Sequence, residues 1–339
     1  MNLRQNTAMS LLALTLVLSG CGAKGTDNIE SQSPTASATT SPSAMPTESS
    51  SETPSEDPGK LILKEFKDLA LAGKPANELF ASLKQHIGEV QPEQADEFIR
   101  TMEAYYKDNL PIAQQELEGL EVQKELNALK WPITEEKIRT MKDGPVKELA
   151  IAKMDGGYKL ISSEGFVFPI VDYGKFLSYG DDLTTPMKTY LEVLAAESDS
   201  PTASDGGLII TWDELSAKTL AAESYVVTFP DSPERREIED RYLNYLSMYL
   251  IGLNNTPIFD YDTFVVLPAV KSQYEQMVAS HAGTVTGQLT KELLSVLEKT
   301  NGAVYTKGKK GEQVNIPETQ KFREELETKA RSLLPASKN

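Results

Sequence analysis

Apolar residues recur at helical spacing through most of the chain. Segments 61–72 and 76–87 carry them three or four apart, and Gly73-Lys74-Pro75 breaks the run between them. Pro92 opens a further predicted helix, with Phe98, Met102 and Tyr105 along one side. Pro111 opens another, containing Leu117, Leu120 and Leu129, and Thr134 caps a last short one ending near Gly144. Brief connections between such helices imply antiparallel neighbours.

The period then changes. Segments 149–154 and 158–162 read as strands on either side of Asp155-Gly156-Gly157, a turn signature because glycine accepts positive φ. A second turn at Ser163-Glu164-Gly165 leads to the run 166–171, whose Pro169 cannot donate to a ladder and so marks an edge strand. Helices return at Thr211-Trp212-Asp213-Glu214, a capping-box pattern, and at Ser232-Pro233. The second of these helices is apolar nearly all round in its latter half, through Tyr242, Tyr245, Leu246, Tyr249 and Leu250, which predicts a buried central element. Segments 268–281 and 288–300 follow, then a hairpin near Lys309, and Pro317 opens a final helix with Phe322, Leu326, Ala330 and Leu333 in register. The expected class is α+β, predominantly α-helical. A helical subdomain spans 59–143, and a small antiparallel β-meander plus a larger helical bundle occupy 144–335 before a short tail, 336–339.

The N-terminal part obeys different rules. A polar start with Arg4 precedes an apolar run over 8–18, too short for the roughly 20 residues a membrane span needs, and so reads as an export leader over 1–20. Leu18-Ser19-Gly20-Cys21 resembles the bacterial lipobox, in which an aliphatic and two small residues precede a lipidated cysteine. The resemblance covers the leader alone. It implies that Cys21 becomes the first mature residue, carrying a diacylglycerol and often a further acyl chain, and two or more chains hold a protein stably to its membrane. The implied localisation is the extracytoplasmic side of a bacterial cell membrane.

Residues 21–58 are rich in Ser, Thr, Pro and Glu and poor in large apolar side chains, so burial cannot offset the entropy of ordering and a disordered tether is expected. Its coil span is about 30 to 35 Å, rising to about 110 Å where proline extends it.

Charge narrows the partners. The formal net charge is -16, which disfavours nucleic acid and anionic surfaces. The basic cluster Lys307-Gly308-Lys309-Lys310-Gly311 reads as a solvated hairpin loop. Cys21 is the single cysteine, so internal disulfides and cysteine-ligated metal are excluded. His86 and His281 are not in metal-ligand spacing, and the motifs of serine hydrolases, phosphate loops and EF-hands are missing from the sequence. No catalytic residue, metal or cofactor is therefore assigned, apart from the covalent lipid on Cys21.

Carboxylates remain. Asp260 and Asp262, two apart on an extended segment, project to one side, and Tyr242, Tyr245 and Tyr249 supply aromatic surface; these five are the candidate binding residues. The same groups also read as turn-formers and core. Glu197, Asp199 and Asp205 read as an acidic interhelix loop. The expected function is a membrane-anchored, non-catalytic envelope protein that binds a partner protein, peptide or wall glycan. The alternatives are a wall-glycan hydrolase pairing Asp260 or Asp262 with Glu164 or Glu197, and a transporter's solute-binding component, which the missing strand-helix alternation disfavours.

Overall fold

The structure is a computed structural model and describes residues 57–337; the leader, Cys21 and nearly all of the tether lie outside them. The described part is α+β and predominantly helical, as the periodicity predicts. In chain order it comprises α1 (Pro58–Leu71), α2 (Ala76–His86), α3 (Pro92–Leu117), α4 (Leu120–Asn127), α5 (Glu135–Arg139) and α6 (Pro145–Asp155). The hairpin β1 (Tyr158–Ser163) and β2 (Phe166–Val171) follows, then α7 (Tyr173–Phe176) and α8 (Thr185–Asp199). Next come β3 (Ala203–Ser204), β4 (Gly207–Leu208), α9 (Trp212–Thr228), α10 (Arg235–Ile251), β5 (Gly252–Leu253) and β6 (Thr256–Pro257). The chain closes with α11 (Pro268–His281), α12 (Val285–Lys299), β7 (Tyr305–Lys307), β8 (Gln313–Asn315) and α13 (Pro317–Leu333). Each sheet has two antiparallel strands. Among the described residues no helix is long and apolar enough to cross a membrane.

Two expectations are corrected. Pro111 opens no helix but lies inside the 26-residue α3. An internal proline costs about 3 kcal/mol. The burial of Ala113 and Leu117, which continue the face set by Phe98, Ile99, Met102 and Tyr106, outweighs it. Residues 149–154 are not a strand but part of α6, where Val146, Ala150 and Met154 recur every four residues on the buried side. Asp155-Gly156-Gly157 accordingly ends a helix instead of turning a hairpin. Gly157 has φ +79°, and a Cβ there would stand 2.1 Å from the Tyr106 hydroxyl, so only glycine fits. The meander thus reduces to the β1–β2 hairpin, turned at Glu164 (φ 51°) and Gly165 (φ 83°).

Among the described residues that hairpin has no third strand, and a side chain takes the place of one. Gln123 on α4 accepts from Val167 N at 2.8 Å and donates to Val167 O at 2.7 Å, pairing the outward backbone groups of β2. Pro169, also on β2, sits opposite Leu160 of β1, where no donor is required. A small apolar cluster of Leu117, Leu126, Ile138, Ala150, Leu160 and Val167 lies beneath.

The main core runs from Phe66 on α1 to Leu334 beyond α13, with α10 at its centre. Ile238, Tyr242, Leu243, Tyr245, Leu246, Tyr249 and Leu250 of α10 are all buried, as the apolar pattern implies. The capping box of Thr211 and Glu214 starts α9. Thr284 caps α12, whose first residue, Val285, lies three before the start read from the sequence, and Glu223 of α9 accepts from Val285 N, Thr286 N and Thr286 Oγ1 at the same end.

Candidate functional site

The candidate residues of the sequence fall in different places. Asp260 is exposed, and its Oδ1 accepts from Asp262 N (3.1 Å), Thr263 N (2.9 Å) and Thr263 Oγ1 (3.0 Å). These bonds, led by the Thr263 amide, hold its carboxyl below the usual range, and they close a turn. Asp262 is exposed on the same turn, and the Tyr261 hydroxyl beside it donates to Asn254 O at 2.6 Å.

The tyrosines of α10 are buried, and their hydroxyls diverge. Tyr242 meets Thr286 Oγ1 of α12 at 3.3 Å, Tyr249 donates to Gln273 O of α11 at 3.3 Å, and Tyr245 donates to Glu197 Oε2 of α8 at 2.7 Å. Of the five candidates, Tyr245 lines a groove. It floors this groove of about 240 Å³ between α8 and α9, walled by Thr189, Val193, Ala196, Ala221 and Ser224. Exposed Glu192 and the Lys218 stem complete its lining. This groove is the candidate binding site.

Its polar edge is closed upon itself. Glu197 is no loose loop acid: it accepts from Thr202 N (3.0 Å), Thr202 Oγ1 (2.5 Å), Lys218 Nζ (3.0 Å) and Tyr245 OH. Burial pushes its carboxyl upward, but the bonds from Thr202, Tyr245 and Lys218 outweigh burial and leave it below the ordinary glutamate value. Lys218 also donates to Ser200 O and Thr202 Oγ1. Asp199 pairs with Lys159, while Asp205 (φ 47°) and Gly206 (φ 67°) turn β3 into β4. The groove therefore presents an apolar floor beside a neutralised ion pair, a surface suited to contact more than to proton transfer.

A second polar group sits farther along α8 and α10, and the sequence reading misses it. Tyr190 is fully buried, and its hydroxyl lies 2.5 Å from Glu103 Oε1 of α3 and 2.9 Å from Glu237 Oε2 of α10. Burial raises the Glu103 carboxyl to about 8, with nearby Glu237 and Glu234 adding to the rise. On the same side of α3, Asp96 accepts from Thr184 N and Oγ1, and Arg100 donates to Glu234 Oε1 at 2.7 Å. The signal in the sequence is the spacing of Asp96, Arg100 and Glu103, which interleaves charge with the apolar Ile99, Met102 and Tyr106. Comparison of the chain with protein-family models, curated proteins and solved structures returns no match.

Proposed function

We propose that this chain is a lipid-anchored envelope protein that acts by binding, and that the α8–α9 groove receives a segment of a partner peptide or protein carrying an apolar side chain next to a basic one. The observation that carries the reading is the groove itself, apolar at Tyr245 and Val193, with exposed Glu192 at its edge on a body of strong net negative charge. The lipobox at Leu18-Ser19-Gly20-Cys21 supports the anchor, and the Ser/Thr/Pro tract supplies reach from the membrane. A wall-glycan hydrolase built on the acids read from the sequence would need an acid and a base facing one bond. Asp260 closes a turn, Glu164 is a turn residue at positive φ, and Glu197 is saturated with donors, which favours binding over hydrolysis.

Two measurements test the reading. Metabolic labelling with a fatty acid should mark the wild-type chain and leave Cys21→Ser unlabelled; an unlabelled wild type would remove the anchor. Full-length protein in detergent should bind a fluorescent Leu/Lys-rich peptide saturably, and Ala221→Trp, which fills the groove from an exposed position, should abolish that binding with the far-UV spectrum unchanged. Equal binding by Ala221→Trp would take the groove out of the proposal.

A further inference from the structure

The Tyr190 hydroxyl has one hydrogen, yet it makes two short oxygen contacts, 2.5 Å to Glu103 and 2.9 Å to Glu237. A phenol donates once, and an ionised carboxylate only accepts. One hydrogen shared between two carboxylates would hold both contacts weakly, whereas a proton on one carboxyl gives each contact its own hydrogen. The two distances suit a trio that holds an extra proton.

We propose that Glu103, Tyr190 and Glu237 form a proton-binding clamp across the α3–α8–α10 seam, closed while one carboxyl is protonated and opened when that proton leaves for solvent. In the closed state Glu103 donates its proton to the Tyr190 oxygen, and Tyr190 donates its own to Glu237. Deprotonation breaks the Glu103 O–H bond, sends the proton to water and leaves two carboxylates competing for one phenol hydrogen. One contact must then open.

The surroundings favour the protonated trio. Facing Glu103 are Arg100 on its own helix, Tyr190 on α8, Tyr173 on α7, and Glu234, Glu237 and Arg241 around and on α10. Arg100, paired with Glu97 and Glu234, pulls the Glu103 carboxyl down, and burial together with Glu237 and Glu234 outweighs it. Tyr173 adds another oxygen in burial and no positive charge. Arg241 sits 3.7 Å from Glu237 with its buried Nε lacking a hydrogen-bond partner, and so offers Glu237 a place to turn once the clamp opens. Glu237 is itself exposed, which gives solvent a route to the proton. The tyrosine plugs the space between the acids, so the trio works as a joint between helices.

The experiment uses the full chain with glutamate labelled at the carboxyl carbon, titrated by NMR. One carboxyl should titrate near pH 8, the value to which burial raises Glu103, and that signal should vanish in Glu103→Gln, where an amide replaces the protonated acid. The Glu237 carboxyl signal should move as Glu103 loses its proton, because both touch the Tyr190 hydroxyl, and Tyr190→Phe should remove that response. Glutamates that all titrate below about pH 6, a high step that survives Glu103→Gln, or a Glu237 response that survives Tyr190→Phe would each overturn the clamp.

Discussion

Glu197 and Glu103 each meet a tyrosine hydroxyl where side chains bridge α8 and α10, Tyr245 at 2.7 Å for the first and Tyr190 at 2.5 Å for the second. The arrangement is reciprocal: α8 supplies Tyr190 and Glu197, and α10 supplies Glu237 and Tyr245. The outcomes are opposite. Around Glu197 the chain adds Lys218 and both donors of Thr202, and the carboxyl is held below its ordinary value. Around Glu103 it adds Glu237 and Glu234, and the carboxyl rises to about 8. Burial acts in the same direction on both and more heavily on Glu103, and the donors around Glu197 reverse it there while the acids around Glu103 add to it.

The largest effect should come from removing the saturated acid. Glu197→Ala leaves Lys218, Thr202 and Tyr245 without their shared acceptor, and a loss of about 3 kcal/mol in urea-unfolding stability at pH 7 is expected, reduced from the fully buried case by the residual exposure of Glu197. A loss under about 1 kcal/mol would mean that water replaces the carboxylate without difficulty, and the contrast with Glu103 would collapse.

Glu103→Gln should act in the other direction. The Glu103 carboxyl is raised in the folded chain from 4.5 to about 8, so the unfolded chain binds fewer protons between those values. Its contribution to folding is therefore full below about pH 4.5 and is lost as pH rises to about 8. The amide does not titrate, and the variant should gain about 2 kcal/mol over wild type by pH 6, with little difference at pH 4.5. Glu197 has the opposite sign. Its contribution is present above the ordinary glutamate value and disappears as pH falls through its lowered folded value, so Glu197→Gln should flatten the acid limb and leave the neutral limb in place. Stability curves in which both variants change the same limb would break the comparison.

Much of the fold was legible because it rests on local rules. Thr211 with Glu214, Pro268 and Pro317 mark helix starts through caps and fixed φ, and the structure begins α9, α11 and α13 at those places. The failures also have causes. At Pro111 a buried face carries the helix through a residue that stops helices locally, and at 149–154 a run of apolar residues too short to show its period reads as a strand. Nothing in the periodic reading assigns α8, although Thr184-Thr185-Pro186 holds its cap and first-turn proline. That omission hid the site chemistry, because α8 carries both Tyr190 and Glu197. The acids that stood out, Asp260 and Asp262, stand in a turn rich in Asn, Asp, Thr and Pro. Those that meet across helices lie at 103, 197 and 237, too far apart in sequence for spacing to join them.

A smaller change tests whether the Glu197 side depends on its tyrosine. Tyr245→Phe removes one of the donors to that carboxylate and keeps the ring that floors the groove, so about 1.5 kcal/mol should be lost at pH 7 and the folded pKa of Glu197 should move up toward its ordinary value. The acid limb of the stability curve should start at a higher pH as a result. Peptide binding in the groove should survive, since the apolar floor is intact.

The smallest effect comes from a tyrosine outside both acid sites, and it calibrates the others. Tyr106 is buried on α3 and donates to Gly156 O at 2.8 Å, closing the end of α6 beneath Gly157. Burial drives its phenol far above the range in which the protein is handled, so neither it nor the Gly156 carbonyl exchanges a proton between pH 4 and 9. Tyr106→Phe should cost about 1 kcal/mol, one neutral hydrogen bond, and the cost should be the same at every pH in that window. A pH-independent offset here, set against the opposite limbs removed by Glu103→Gln and Glu197→Gln, would show that those limbs arise at the two acids. A Tyr106→Phe offset that varied with pH would instead reveal that loosening the α3–α6 contact reaches the Glu103 trio along α3, three residues away on the same helix.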